Sequence, residues 1–99
     1  GILSTIYVDL NKGVNIKKLE KTLNAKYYKC RFVKIKKRNS LLSTNDVINT
    51  NNCSISICET KYKNKVIILS AIDNLIKGGA GQAIQNMNLK FNFPEYRGL

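Results

Sequence analysis

Ninety-nine residues are enough for one small domain, and a hydrophobic share of 43% belongs to a chain that folds rather than one that stays disordered. Seventeen Lys+Arg against six Asp+Glu leave a formal net charge of +11, and there is no histidine. That absence excludes a Ser-His-Asp triad, a Cys-His dyad and any histidine-containing metal site. The longest apolar run, Val66 to Leu69, is far short of the roughly 20 residues a membrane span needs.

In chain order, Ile2 to Val8 predicts a strand of β-branched and aromatic residues, stopped at Asp9–Gly13. Gly1 opens directly into that strand with no Met and no charged leader, so the chain is expected to be a piece of something longer. Asn15 is placed to cap a short helix on which Ile16, Leu19 and Leu23 form one apolar stripe, ending near Asn24. Arg31 to Lys37 predicts a second strand, Asn39 to Asn45 a turn, and Asp46 to Thr50 a short strand or loop. Cys53 to Thr60 alternates, with Cys53, Ile55 and Ile57 on one face and Ser54, Ser56 and Cys58 on the other, the pattern of a half-exposed strand. A turn at Tyr62–Lys65 leads back into Val66 to Ile72, expected to be more fully buried. After Asp73–Lys77 and the run Gly78-Gly79-Ala80-Gly81, the spacing of Ala80, Ala83, Ile84, Met87 and Phe91 predicts a helix with one apolar face, with Gln82, Gln85, Asn86 and Asn88 on or beside the other. The expected class is α+β: a mixed or antiparallel sheet with a short helix and a C-terminal helix.

The charge has two readings. Lys34, Lys36, Lys37 and Arg38 near Tyr27, Tyr28 and Phe32 could track a nucleic-acid strand. The abundance of Lys, Asn and Ile, all with AT-rich codons, offers a blander origin for the same charge and is preferred; nucleic acid is not the expected partner. The three cysteines, Cys30, Cys53 and Cys58, have no disulfide-framework spacing and no C-x-x-C pair, which fits a reducing, cytoplasmic compartment. Cys53 and Cys58, five apart on a strand, fall on opposite faces. Lys29 and Arg31 flank Cys30, but strand neighbours point away, so an inert thiol is the expectation at all three. Among the carboxylates, Asp9, Glu20, Asp46, Glu59 and Glu95 read as solvated or capping groups; Asp73, beside the glycine turn, is set apart. No catalytic residue and no metal ligand set is expected within the chain.

The glycine turn carries the sharpest signal. Successive glycines allow close backbone approach, and a helix start favours anions or carboxamide oxygens. The stretch Ser70 to Leu89, SAIDNLIKGGAGQAIQNMNL, resembles the C-terminal signature of N-acetyl-gamma-glutamyl-phosphate reductases. Aspartate-semialdehyde dehydrogenases share the D-N-L-x-K-G type of turn but generally lack the continuation from Gly81 to Asn88. Gly1–Tyr7 is similar to the strand following the family's catalytic histidine motif, Phe32–Ile35 to its F-V-R-V strand with Lys34 in place of Arg, and Thr50–Cys53 to its Ser/Thr-Asn-x-Cys step. Gly79 stands where alanine is common.

The resemblance implies an NADP-dependent oxidoreductase that reduces N-acetyl-glutamyl phosphate to the semialdehyde in arginine biosynthesis, with the nucleophilic cysteine, the histidine and the nucleotide fold upstream of Gly1. Residues 1–72 would belong to the catalytic and oligomerisation domain of a homo-oligomer. Residues 73–99 would form the turn and the helix that returns to the NADP-binding domain. By the same resemblance Asn74, Lys77, Gly78, Gly79 and Gly81 are the candidates for nicotinamide contact, and this piece alone would be inactive. The competing expectations are a basic nucleic-acid-binding module and a non-catalytic relic kept for self-association.

Overall fold

The computed structural model describes residues 1–99. Four strands form one mixed sheet in the order β1-β4-β3-β2, flanked by two helices. β1 (Ile2–Asp9) runs antiparallel to β4 (Lys65–Ile72) along its whole length, from Ile2 opposite Ile72 to Asp9 opposite Lys65. An ion pair at 2.7 Å between Lys65 Nζ and Asp9 Oδ1 closes that ladder. β3 (Cys53–Glu59) pairs antiparallel with the other edge of β4, and β2 (Val33–Ile35) adds parallel to β3. The expected α+β class with a mixed sheet is what the chain adopts.

Helix α1 (Ile16–Tyr27) begins where the sequence places its cap, with Asn15 Oδ1 accepting from Lys18 N at 2.9 Å. It runs three residues beyond the expected end. Asn24 does not stop it, because its side-chain amide donates back to Glu20 O at 2.9 Å and leaves the main chain helical. The stripe Ile16, Leu19 and Leu23 is half-buried, and the lysines between face water. Arg38 ties α1 to the sheet, its guanidinium reaching Glu20 of α1 and, at 2.9 Å, Glu59 of β3. Both carboxylates raise the Arg38 pKa, Glu20 most strongly through its hydrogen bonds.

Three further expectations are corrected. The second strand shrinks from the predicted seven residues to Val33–Ile35, since the chain turns away after Lys36 to cover the sheet. Asp46–Thr50, expected as strand or loop, belongs to that covering loop, with Val47 fully buried and Asn49 left-handed at φ 59°. The loop also changes the reading of β3 from half-exposed to covered on both faces, Ile57 being buried on one. Ser54 and Ser56, expected at the surface, are buried beneath it, and Ser56 Oγ donates to Ser40 O at 2.7 Å. β4, finally, is mostly half-buried, with only Val66 and Ala71 fully enclosed.

The half of the sheet away from the loop is open. Ile2, Leu3, Ile6 and Tyr7 of β1 all lie exposed, on both faces of an edge strand. A long apolar edge of this kind is a surface that natural proteins cover. The accessible area, 6946 Å², exceeds by roughly 1,200 Å² the ~5,700 Å² expected of a compact monomer of this mass. One partner's share of an ordinary protein interface is about 800 Å². The radius of gyration, 14.9 Å against about 13 Å for a compact domain of this length, points the same way. No helix is long and apolar enough to cross a membrane.

Candidate functional site

β4 delivers the chain to Asp73, whose buried carboxylate organises everything after it. Oδ1 accepts from Leu75 N at 2.8 Å and Ile76 N at 3.1 Å, while Oδ2 accepts from Asn49 N at 2.9 Å. These three N–H donors, that of Asn49 foremost, hold the carboxyl pKa below its usual range. Asp73 is therefore a capping carboxylate, although the sequence sets it apart from the five acids that read as solvated or capping.

The turn above it is wider than an α-helix. Gly78 N donates to Asp73 O and Ala80 N to Leu75 O, both at 3.0 Å, in five-residue steps characteristic of a π-type turn over Ile76–Ala80. Regular helical geometry breaks at Gly79 and resumes in α2 (Gly81–Lys90). Asn74, Gly78 and Gly79 form the exposed side of this turn. Gly81 lies on its inner side, buried, where an added methyl would collide with the Asn51 side chain and with Ile76. Packing alone thus accounts for glycine at 81.

Lys77 also turns inward. Its Nζ donates to Gln85 Oε1 at 2.8 Å and sits 5.5 Å from the centre of the Phe32 ring. Burial pushes the ammonium pKa down, and nearby Cys53 and Glu95 oppose the shift. Gln85 Oε1 accepts a second bond from Asn51 Nδ2 at 2.8 Å, and Gln85 Nε2 donates to Glu95 Oε1 at 2.7 Å. One turn on, fully buried Asn88 donates to the carbonyls of Glu95 (3.0 Å) and Arg97 (2.9 Å) and so docks the C-terminal tail. The tail is held again by Arg31 stacked 4.3 Å over Tyr96.

The inner face of α2 is thus polar, and its apolar face, which the resemblance assigns to a neighbouring nucleotide domain, is left outside. Gly81, Gln85 and Asn88 are its buried residues, whereas Met87 and, just past its end, Phe91 are exposed. The signal was in the sequence: positions 81, 85 and 88 follow the i, i+4, i+7 rule as well as the apolar set does. A stripe of glycine and amides carries no hydropathy mark, and its partners lie in other segments.

Of the five sequence candidates, then, Asn74, Gly78 and Gly79 share one open surface, and Lys77 and Gly81 support it from within. The basic strip weighed for nucleic acid loses two of its members. Phe32 is buried and Arg38 is engaged by two carboxylates, which leaves neither free for a strand. The three cysteines are free; Cys53 Sγ lies 3.4 Å from Ser70 Oγ, and Cys30 is exposed.

Residues 1–74 match the family described as semialdehyde dehydrogenase, dimerisation domain. Across its whole length the chain is 44% identical to a protein of Halothermothrix orenii and 48% identical to one of Vesicomyosocius okutanii, both named N-acetyl-gamma-glutamyl-phosphate reductase. It is 38% identical to a probable chloroplastic N-acetyl-gamma-glutamyl-phosphate reductase of Arabidopsis thaliana. The chain spans 28% of the length of each of the first two relatives and 25% of the third. The similarity continues past residue 74 through the glycine turn and α2 to Leu99. By the family match over three-quarters of its residues, the chain belongs to the semialdehyde dehydrogenase dimerisation-domain family.

Proposed function

We propose that this chain is the C-terminal part of an NADPH-dependent reductase that converts N-acetyl-glutamyl phosphate to the semialdehyde in arginine biosynthesis. The observation that carries the reading is the Asp73-anchored turn, which leaves Asn74, Gly78 and Gly79 open beside a sheet whose own covering is incomplete. An NADP nicotinamide suits that surface. Two adjacent residues without side chains let a flat ring approach the backbone. Asn74 supplies a free amide able to donate to and accept from a carboxamide. When bound, the cofactor supplies the hydride. The residues of this chain orient it and keep water from one face, with Lys77 and Gly81 acting from beneath the turn.

The thiol and histidine for attack on the acyl phosphate would come from upstream polypeptide, together with the nucleotide fold. In this reading the exposed Met87 of α2 and Phe91 just past its end face that nucleotide domain, residues 73–99 forming the return to it. The open half of the sheet, led by Ile2, Leu3, Ile6 and Tyr7, meets upstream chain or a second subunit in a homo-oligomer. Three free thiols suit a reducing, cytoplasmic setting.

Hydrogen exchange on the full-length enzyme tests the proposal. NADPH is expected to slow exchange of the amides from Asn74 to Gly79, and the isolated 99-residue chain to show no reductase activity. Turnover by the isolated chain, or exchange at the turn indifferent to NADPH, would contradict it.

A further inference from the structure

Gln85 is the buried point at which four segments meet: the glycine turn through Lys77, the approach to β3 through Asn51, the tail through Glu95, and α2 itself. We infer that Gln85 is a positioning residue for the turn, holding the Lys77 ammonium beneath it and thereby fixing where Asn74, Gly78 and Gly79 stand. The inference rests on the proposal that this turn faces the nicotinamide.

The orientation of the Gln85 amide follows from its neighbours. An ammonium only donates, so Lys77 faces Oε1; an ionised carboxylate only accepts, so Glu95 faces Nε2. Asn51 must then offer Nδ2 to the same Oε1, which leaves its own Oδ1 buried against Gly81 without a partner. The network thus gives up a hydrogen bond at Asn51 while satisfying Lys77. A lysine at the edge of an exposed turn ordinarily extends its charged end into water. Here the ammonium is drawn in over Phe32, and Gln85 Oε1 is the only side-chain acceptor within hydrogen-bonding distance of it. Without that acceptor the ammonium would leave for solvent, and the backbone of 76–79 would lose its side-chain tether to α2.

Two variants of the full-length enzyme separate positioning from simple stability. Gln85→Met keeps the volume and removes both polar functions. Gln85→Glu combined with Glu95→Gln reverses the polarity of one link, so that position 85 still accepts from Lys77 and Asn51 while position 95 donates back. In the cofactor-free enzyme, Gln85→Met should speed amide exchange from Lys77 to Gly81 by about 10-fold. It should also lower kcat by roughly 10- to 100-fold, the scale of a misplacement near 1 Å, while KM for the acyl phosphate stays within about twofold. The double variant should restore both. Unchanged exchange and kcat in Gln85→Met would overturn the inference, as would a double variant impaired in both. Should Gln85→Met fail to fold, the double variant decides alone. The underlying cofactor proposal fails by a different result: in the wild type, NADPH leaving the turn unprotected. Unaltered cofactor-free exchange in Gln85→Met sinks the tether itself.

Discussion

Asp73, at the end of β4, receives the backbone N–H of Asn49 from 24 residues earlier, at 2.9 Å. That single bond joins the left-handed corner of the covering loop to the start of the glycine turn. It places the turn relative to the sheet rather than leaving it as a local feature of the chain.

The acid limb of stability should carry the mark of this bond. The Asp73 pKa is lowered in the folded state, by the Asn49 N–H first and then by that of Leu75. Its contribution is therefore complete above the ordinary carboxylate pKa and disappears as pH falls through the lowered folded value. Asp73→Asn should be less stable than the wild type at neutral pH, and the gap should narrow below about pH 4. Urea midpoints taken from pH 7 to pH 2 measure it; a gap independent of pH would refute the assignment.

Gly81 offers a test by sign. Its dihedrals, φ −64° and ψ −41°, are helical, so on backbone grounds alone alanine would stabilise by about 1 kcal/mol. The collision with Asn51 and Ile76 should reverse this to a net loss of about 1–3 kcal/mol. Gly78→Ala comes closer than ordinary contact only to the flexible end of Ile72 and should stay within about 1 kcal/mol of neutral. Chemical denaturation of the two variants distinguishes them.

Asn88 bears on the tail. Asn88→Ala leaves the carbonyls of Glu95 and Arg97 without their buried donor, at an expected cost of about 1–3 kcal/mol. Limited proteolysis should then cut between Phe93 and Leu99 sooner than in the wild type. Equal cutting rates would mean that the stacking of Arg31 on Tyr96 suffices to dock the tail.

The open strand should respond according to its company. Ile6→Lys changes an exposed residue, so the isolated chain should shift by no more than about 0.5 kcal/mol. In the full-length assembly, where the proposal buries this face, the same change should cost about 1.5–3 kcal/mol and weaken association. Thermal melts and sedimentation of both forms provide the comparison.

What the sequence disclosed was local. Asn15 marks the start of α1, the β-branched run of Ile2–Val8 marks β1, and the residues from Asp73 to Gly81 mark the turn. What it concealed depends on distant partners. Ser54 and Ser56 read as a solvent face until a loop arrives with the carbonyl of Ser40. Gln85 and Asn88 read the same way until Lys77, Asn51 and the tail converge on them. A buried amide and an exposed one are identical in a hydropathy pattern. Only the acceptors and donors brought by other segments tell them apart.

The most direct measurement is a structure of the full-length protein with NADP bound. The nicotinamide should lie over Gly78 and Gly79, its carboxamide within about 2.7–3.2 Å of the Asn74 side chain. A nicotinamide ring seated elsewhere, with residues 74–79 facing solvent or another subunit, would contradict the account.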